Sequence, residues 1–271
     1  MKILKLIKVV LIVNMETKIF HVNNVATVWN NFSFTVRDTI IGHQKKEVLK
    51  MIYLYSGTPG SGKSLHTASV IYWSLKRGDP VIANFAINQD KIKHKKGEFI
   101  ESDNLSLTPD YLINYAMKYF NGKPIKEGKL LLVIDECQLM FNAREWNIQG
   151  RAEWLSFFTQ HRKFGYDIIL VAQFDRMIDR QIRSLIEYEI VHRKVSNFGL
   201  KGKFLSLVMG GNVFVAVKVW YPMKEKTGAE FFHARKKYYS LYDTYNMFGT
   251  VADGGKGDPP ETAPDTLDIS Q

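Results

Sequence analysis

The chain has 271 residues, 45% of them hydrophobic and 24% charged, which excludes a disordered protein and provides for one full core. A single cysteine, Cys137, excludes an intramolecular disulfide framework and suits a reducing cytoplasm. The net charge of +10 is uneven: residues 51–250 hold 28 Lys/Arg against 19 acids, and residues 251–271 hold one against five. The body is therefore suited to anionic partners, whether nucleotide, nucleic acid or a membrane surface.

In chain order, residues 1–50 show no period. Lys2, Lys5 and Lys8 punctuate an apolar stretch too short to cross a bilayer. Asn14, Glu16 and Lys18 follow it, where a signal peptide would place small residues for cleavage. The segment reads as a non-native or disordered extension. Lys46-Glu47-Val48 can be encoded AAG-GAG-GTN, a ribosome-binding consensus just upstream of the Met51 codon, so translation is expected to start at Met51.

Met51, Ile52, Tyr53, Leu54 and Tyr55 read as a short buried strand. It leads into Gly57, Thr58, Pro59, Gly60, Ser61, Gly62, Lys63 and Ser64, which fit the phosphate-binding pattern G-x-x-x-x-G-K-[ST] at every fixed position. Gly57 and Gly62 let the backbone turn its N–H groups toward a β-phosphate. Lys63 is a mobile cation for the β- and γ-phosphates, and the Ser64 hydroxyl is a Mg²⁺ ligand. Leu65, Ala68, Ile71, Tyr72 and Leu75 then recur at helical spacing until Arg77-Gly78. Strand, glycine loop and helix are the context this motif requires, so ATP and Mg²⁺ are the expected cofactors.

Residues 80–85 read as a second strand, and residues 91–96 (KIKHKK) as a solvated basic loop. Residues 109–120 are predicted as a helix with Pro109 in its first turn. Leu130, Leu131, Leu132, Val133 and Ile134 form the continuous apolar run of a parallel strand buried on both faces. It ends in Asp135 and Glu136, across the switch point from the glycine loop. There Asp135 can hold Mg²⁺ and Glu136 can polarise an attacking water. Cys137 reads as a packing residue.

Residues 151–164 are predicted as a helix burying Trp154, Leu155, Phe157, Phe158 and Phe164, stopped by Gly165. Residues 167–172 read as a buried strand ending in Gln173, which either terminates it or senses a γ-phosphate. Residues 175–188 are predicted as a helix capped by Asp175, with Arg176, Arg180 and Arg183 along one face, suited to phosphate or a neighbouring subunit. Over residues 204–221, Gly210-Gly211-Asn212 and the alternation of Val213, Val215, Val217 and Val219 give a β-hairpin, so no transmembrane segment is expected. Residues 246–271 read as a disordered tail.

MIYLYSGTPGSGKS (51–64), LLLVIDECQLMF (130–141), FFTQHRKFGYDIILVAQ (157–173) and DRQIRSLIEYEIVHRK (179–194) together resemble the zonula occludens toxin (Zot)-like family of filamentous-phage assembly ATPases over residues 51–245. The third segment is the more specific, with Gln-His-Arg closing a helix and a strand closing in Gln. The resemblance implies an α/β P-loop NTPase of the additional-strand class. Such a domain has a mostly parallel central sheet, helices on both faces and a C-terminal β-hairpin. It also implies an ATP-hydrolysing motor for virion assembly and extrusion, working as a homo-oligomeric ring, expected to be a hexamer. Phage coat or membrane assembly proteins and single-stranded DNA are the implied partners, and a cytoplasmic protein that reaches the cytoplasmic face of the host inner membrane through a partner is the implied location. By motif position the phosphate loop carries onto residues 57–64, the metal role onto Ser64 and Asp135, and the base role onto Glu136. The sensor role carries onto Gln173 and an arginine finger onto Arg183, with Arg162 and Arg180 as the other candidates. Family members continue through a membrane span into a periplasmic domain, where this chain has its polar tail. A DNA-translocating or packaging ATPase shares this chemistry and is the alternative. The intact loop and Asp135-Glu136 argue against a non-enzymatic toxin or binding module.

Overall fold

The computed structural model describes residues 51–144, 150–208 and 211–242. The expected N-terminal extension and C-terminal tail lie outside the described residues. The predicted first strand is β1 (Ile52–Ser56), buried at all five positions. Helix α1 (Lys63–Arg77) turns Leu65, Ala68, Ile71 and Leu75 inward, as their spacing requires. β2 (Val81–Ala83) and β3 (Phe99–Glu101) follow; the three residues of β3 are too few to carry a period. α2 (Pro109–Phe120) begins with its proline, and the Thr108 hydroxyl accepts the Tyr111 N–H at 3.2 Å. β4 (Leu130–Ile134) and β5 (Tyr166–Val171) are wholly buried runs. Between them lie α3 (Arg151–Gln160) and a 3-10 turn, His161–Phe164.

The eight strands form one sheet in the order β3-β2-β4-β5-β1-β6-β7-β8, where β6 is Tyr188–Lys194, β7 is Val213–Trp220 and β8 is Glu225–His233. The pairings from β3 through β6 are parallel, and β7 and β8 join antiparallel. β5 lies between β1 and β4, which makes it the additional strand. Side chains alternate between two clusters. Leu54, Leu132, Ile168 and Leu170 meet Leu112, Phe157 and Phe158 from α2 and α3 on one face. Tyr55, Val133, Ile169 and Val171 meet Ala68, Ile71 and Leu75 of α1 on the other.

Two expectations are corrected. Residues 175–188 are not one helix. A 3-10 turn (Asp175–Met177) precedes the short α4 (Arg180–Ser184), which is capped by Asp179. The Asp175 carboxylate is occupied elsewhere, accepting from the Tyr221 hydroxyl at 2.9 Å and Lys224 at 3.4 Å, whereas Asp179 accepts from Gln181 N at 2.9 Å. Arg176 therefore sits on the turn, off the face that carries Arg180 and Arg183. The hairpin is present but shifted. The valine alternation forms β7, whose partner β8 follows it, and the preceding apolar stretch belongs to helix α5 (Gly199–Val208). α5 folds back so closely that a Cβ added at Gly202 would meet the Val195 carbonyl oxygen at 2.2 Å. No helix among the described residues is long and apolar enough to cross a membrane.

Candidate nucleotide site

β1, held between β5 and β6, delivers the chain into the glycine loop at the carboxyl edge of the sheet. Gly57 has φ +142°, and a Cβ there would lie 2.5 Å from the His192 carbonyl oxygen. Gly62, with φ +97°, caps α1, and a Cβ there would lie 2.7 Å from the Phe214 ring. Both positions thus require glycine for close packing against β6 and β7, in addition to backbone freedom. Lys63 is buried, and its Nζ donates to the carbonyls of Gly57 at 2.6 Å and Thr58 at 3.3 Å. Burial lowers its pKa, opposed by the charges of Glu136 and Asp135. Loop and carboxylates are therefore within electrostatic reach of one another. Ser64 occupies the first turn of α1 and is half-buried.

Asp135 sits at the tip of β4, 7% exposed, and burial pushes its carboxyl up to about 6. Its Oδ1 accepts the Glu136 N–H at 2.9 Å. Its Oδ2 accepts the hydroxyl of Tyr242, just beyond α6 (Lys236–Tyr239). Asn84, at the end of β2, holds the Asp135 backbone on both sides. Its Oδ1 accepts the Asp135 N–H at 2.7 Å, and its Nδ2 donates to the Asp135 carbonyl at 2.9 Å. Glu136 has left-handed backbone angles (φ 44°, ψ 44°), a strained conformation for a non-glycine residue, and its Oε2 accepts from the Gln138 amide. Cys137 is fully buried, as its packing role requires, and burial pushes its thiol well above the usual range.

Gln173 follows β5, and its carbonyl accepts the Gly57 N–H at 3.2 Å. Arg183 lies on α4, half-buried, close enough to Asp175 and Tyr221 to influence their ionisation. Arg162 pairs with Glu187 at 2.7 Å, and Arg180 is exposed.

Asn84 and Tyr242 escaped the sequence reading. A polar residue closing a strand at the switch point is the signal that marks Asn84; Tyr242 comes from a segment 107 residues from Asp135 and has none. The histidines behind the loop were also missed. His192 Nδ1 donates to the Ser56 carbonyl at 3.2 Å, which leaves His192 Nε2 to accept from His66 Nδ1 at 2.8 Å. Burial holds His66 down at about 4 and His192 well below its ordinary value.

The site residues fit Mg²⁺ and a triphosphate. Ser64 and Asp135 offer the hard oxygen donors that Mg²⁺ takes. Lys63 rests on loop carbonyls, and the Ser61 hydroxyl is buried without a partner among the described residues. A glycine loop between β1 and α1, an acidic pair at the tip of β4 and an additional strand between β4 and β1 define a P-loop NTPase fold.

Within that class the chain belongs to the Zonular occludens toxin (Zot) family, whose profile matches residues 51–246. It is 28% identical over 218 residues to the Gene 1 protein of Enterobacteria phage fd, covering 75% of this chain and 62% of that protein. It is 27% identical over 213 residues to the Gene 1 protein of Salmonella phage IKe, covering 73% and 57%. The chain thus matches less than two thirds of the length of these relatives. Among solved structures, the N-terminal domain of zonular occludens toxin from Neisseria meningitidis aligns with a TM-score of 0.46 and 22% identity, over 71% of this chain and 98% of that one.

Proposed function

We propose that this chain is the ATP-hydrolysing part of a motor for filamentous-phage virion assembly and extrusion. The observation that carries the reading is a buried Lys63 on the carbonyls of the glycine loop, within electrostatic reach of Asp135 and Glu136, in a chain of the Zot family. Residues 57–64 wrap the phosphates, with Lys63 moving from its loop carbonyls onto the β- and γ-oxygens. Ser64 and Asp135 would hold Mg²⁺, which when bound would supply charge neutralisation to the phosphates. Glu136 takes the proton of the attacking water, and Gln173 orients that water or reads the γ-phosphate. Arg183 acts across a subunit boundary in a homo-oligomeric ring. The ring works at the cytoplasmic face of the host inner membrane with coat or membrane assembly proteins and single-stranded DNA.

Purified protein is expected to hydrolyse ATP in a Mg²⁺-dependent manner. Lys63→Ala abolishes nucleotide binding, whereas Glu136→Gln keeps it and lowers turnover about a hundredfold or more. Unaltered turnover in Glu136→Gln overturns the base assignment. Arg183→Ala subunits bind ATP without hydrolysing it and regain activity when mixed with Lys63→Ala subunits. In infected cells, Lys63→Ala lets single-stranded genome accumulate while no virions are released. Normal virion yield overturns the assembly role.

A further inference from the structure

Helix α5 stands on the face of the sheet opposite α1. Phe214 and Ala216 of β7 join the cluster under α1, whereas Val213, Val215 and Val217 form a separate cluster with Val195. Half-buried Phe198 packs into this second cluster, and α5 closes back over Val195 at Gly202. The buried Gly202 and Ser206 mark the inward side of α5. At about 100° per residue, Leu200, Phe204 and Leu207 fall within roughly 60° of one another on the outward side. They are 85%, 54% and 76% exposed. One exposed leucine needs no account; three large apolar side chains on one outward helix face do.

Charge chooses the occupant. Helix α5 itself contains no Asp or Glu (GLKGKFLSLV). Lys203 is exposed on α5. Arg193, exposed and in register with Val215, extends the cationic surface on the same face of the sheet. A two-fold contact between two copies through α5 would bring Lys203 and Arg193 of one copy against those of the other, with no carboxylate from α5 to pair them. An anionic lipid surface satisfies both features, with cations at the headgroups and the apolar side chains at the acyl boundary. We propose that α5 is a docking helix for an anionic lipid surface, through Leu200, Phe204 and Leu207 with Lys203 and Arg193 beside them. The contact is made by this chain itself, on the face of the sheet opposite α1. It does not depend on the hydrolytic reading.

The test uses the full chain carrying Leu207→Cys labelled with a polarity-sensitive fluorophore; the native thiol, Cys137, is fully buried and does not compete for label. On phosphatidylglycerol–phosphatidylcholine vesicles the emission shifts blue and rises, and on phosphatidylcholine alone it does not. Leu200→Ser with Phe204→Ser weakens vesicle binding by about tenfold or more, from the apolar area lost. Lys203→Glu, a surface change without packing cost, weakens it as well, and added salt does the same. ATP turnover without lipid is unchanged in each variant, so this proposal and the nucleotide assignment fail separately. An unchanged emission on anionic vesicles, an equal response on neutral ones, or binding indifferent to both sets of variants overturns the proposal. So does an emission change that follows protein concentration alone, which would assign the face to a second copy.

Discussion

Asn84→Ala tests whether the site depends on how Asp135 is held as well as on Asp135 itself. The substitution removes the acceptor of the Asp135 N–H at 2.7 Å and the donor to its carbonyl at 2.9 Å. An unpaired buried polar group costs about 1–3 kcal/mol. Asn84 is half-buried, so its removal lets water reach part of the gap, and the expected loss lies near the low end, about 2 kcal/mol for both groups together. For a domain of this size that is about 4–8 °C in Tm. Turnover should suffer more than stability. A displacement of roughly 1 Å at reacting groups costs on the order of a hundredfold, and nothing else seen at Asp135 holds its backbone on both sides. Nucleotide binding without Mg²⁺ should persist, because Lys63 and the loop make no use of Asn84. Thermal melting, Mg²⁺-dependent hydrolysis and nucleotide binding in chelator, measured on the same preparation, separate the three effects. Turnover within twofold of the parent, with the melting point lowered as expected, would refute the positioning argument.

Tyr242→Phe keeps the ring contact with Phe85 and frees Asp135 Oδ2, so the Mg²⁺ concentration giving half-maximal turnover should fall by up to about tenfold, and an unchanged Mg²⁺ dependence would refute the competition. The folded state binds fewer protons than the unfolded one at His66 and His192, so their contribution is present above the ordinary histidine pKa and is lost as pH falls from about 6.5 toward 4. Asp135, raised to about 6, acts in the opposite sense over part of that window. The histidine share is therefore read as the difference in melting slope between the parent and His192→Gln, and identical slopes would dismiss it. Deleting residues 1–50 should leave ATP turnover unchanged, since the family match begins at residue 51; loss of turnover in a folded truncated protein would show that they serve the site.

What the sequence made legible was local. β1, the glycine loop and α1 are contiguous, and the apolar runs of β4 and β5 are long enough to be read alone. The acids after β4 followed from the strand. β6 was not read, because Tyr188, Glu189, His192 and Arg193 mix polar and apolar residues where the strand meets β1 on one side and β7 on the other. Asp175 and Asp179 are equally good caps in sequence, and only the distant Tyr221 and Lys224 decide between them. Residues 204–208 of α5 carry a strand-like pattern in sequence, because an apolar stretch broken by glycines has no period until Val195 gives it an inward side. Asn84 and Tyr242 reach Asp135 across the sheet and from the end of the domain, separations that no motif spans.

The strand order also sets when the protein can be born. Both neighbours of β1 lie more than a hundred residues downstream, in the pairings Ile52↔Ile168 and Tyr53↔Tyr188. A ribosome adding about 5–20 residues per second needs on the order of ten seconds to supply them. For that interval the apolar Ile52–Ser56 segment has no sheet to join, and Gly57 has neither Gln173 nor His192 to shape its turn. Chains interrupted before β6 thus carry the complete glycine motif without the His192 backbone against which Gly57 packs.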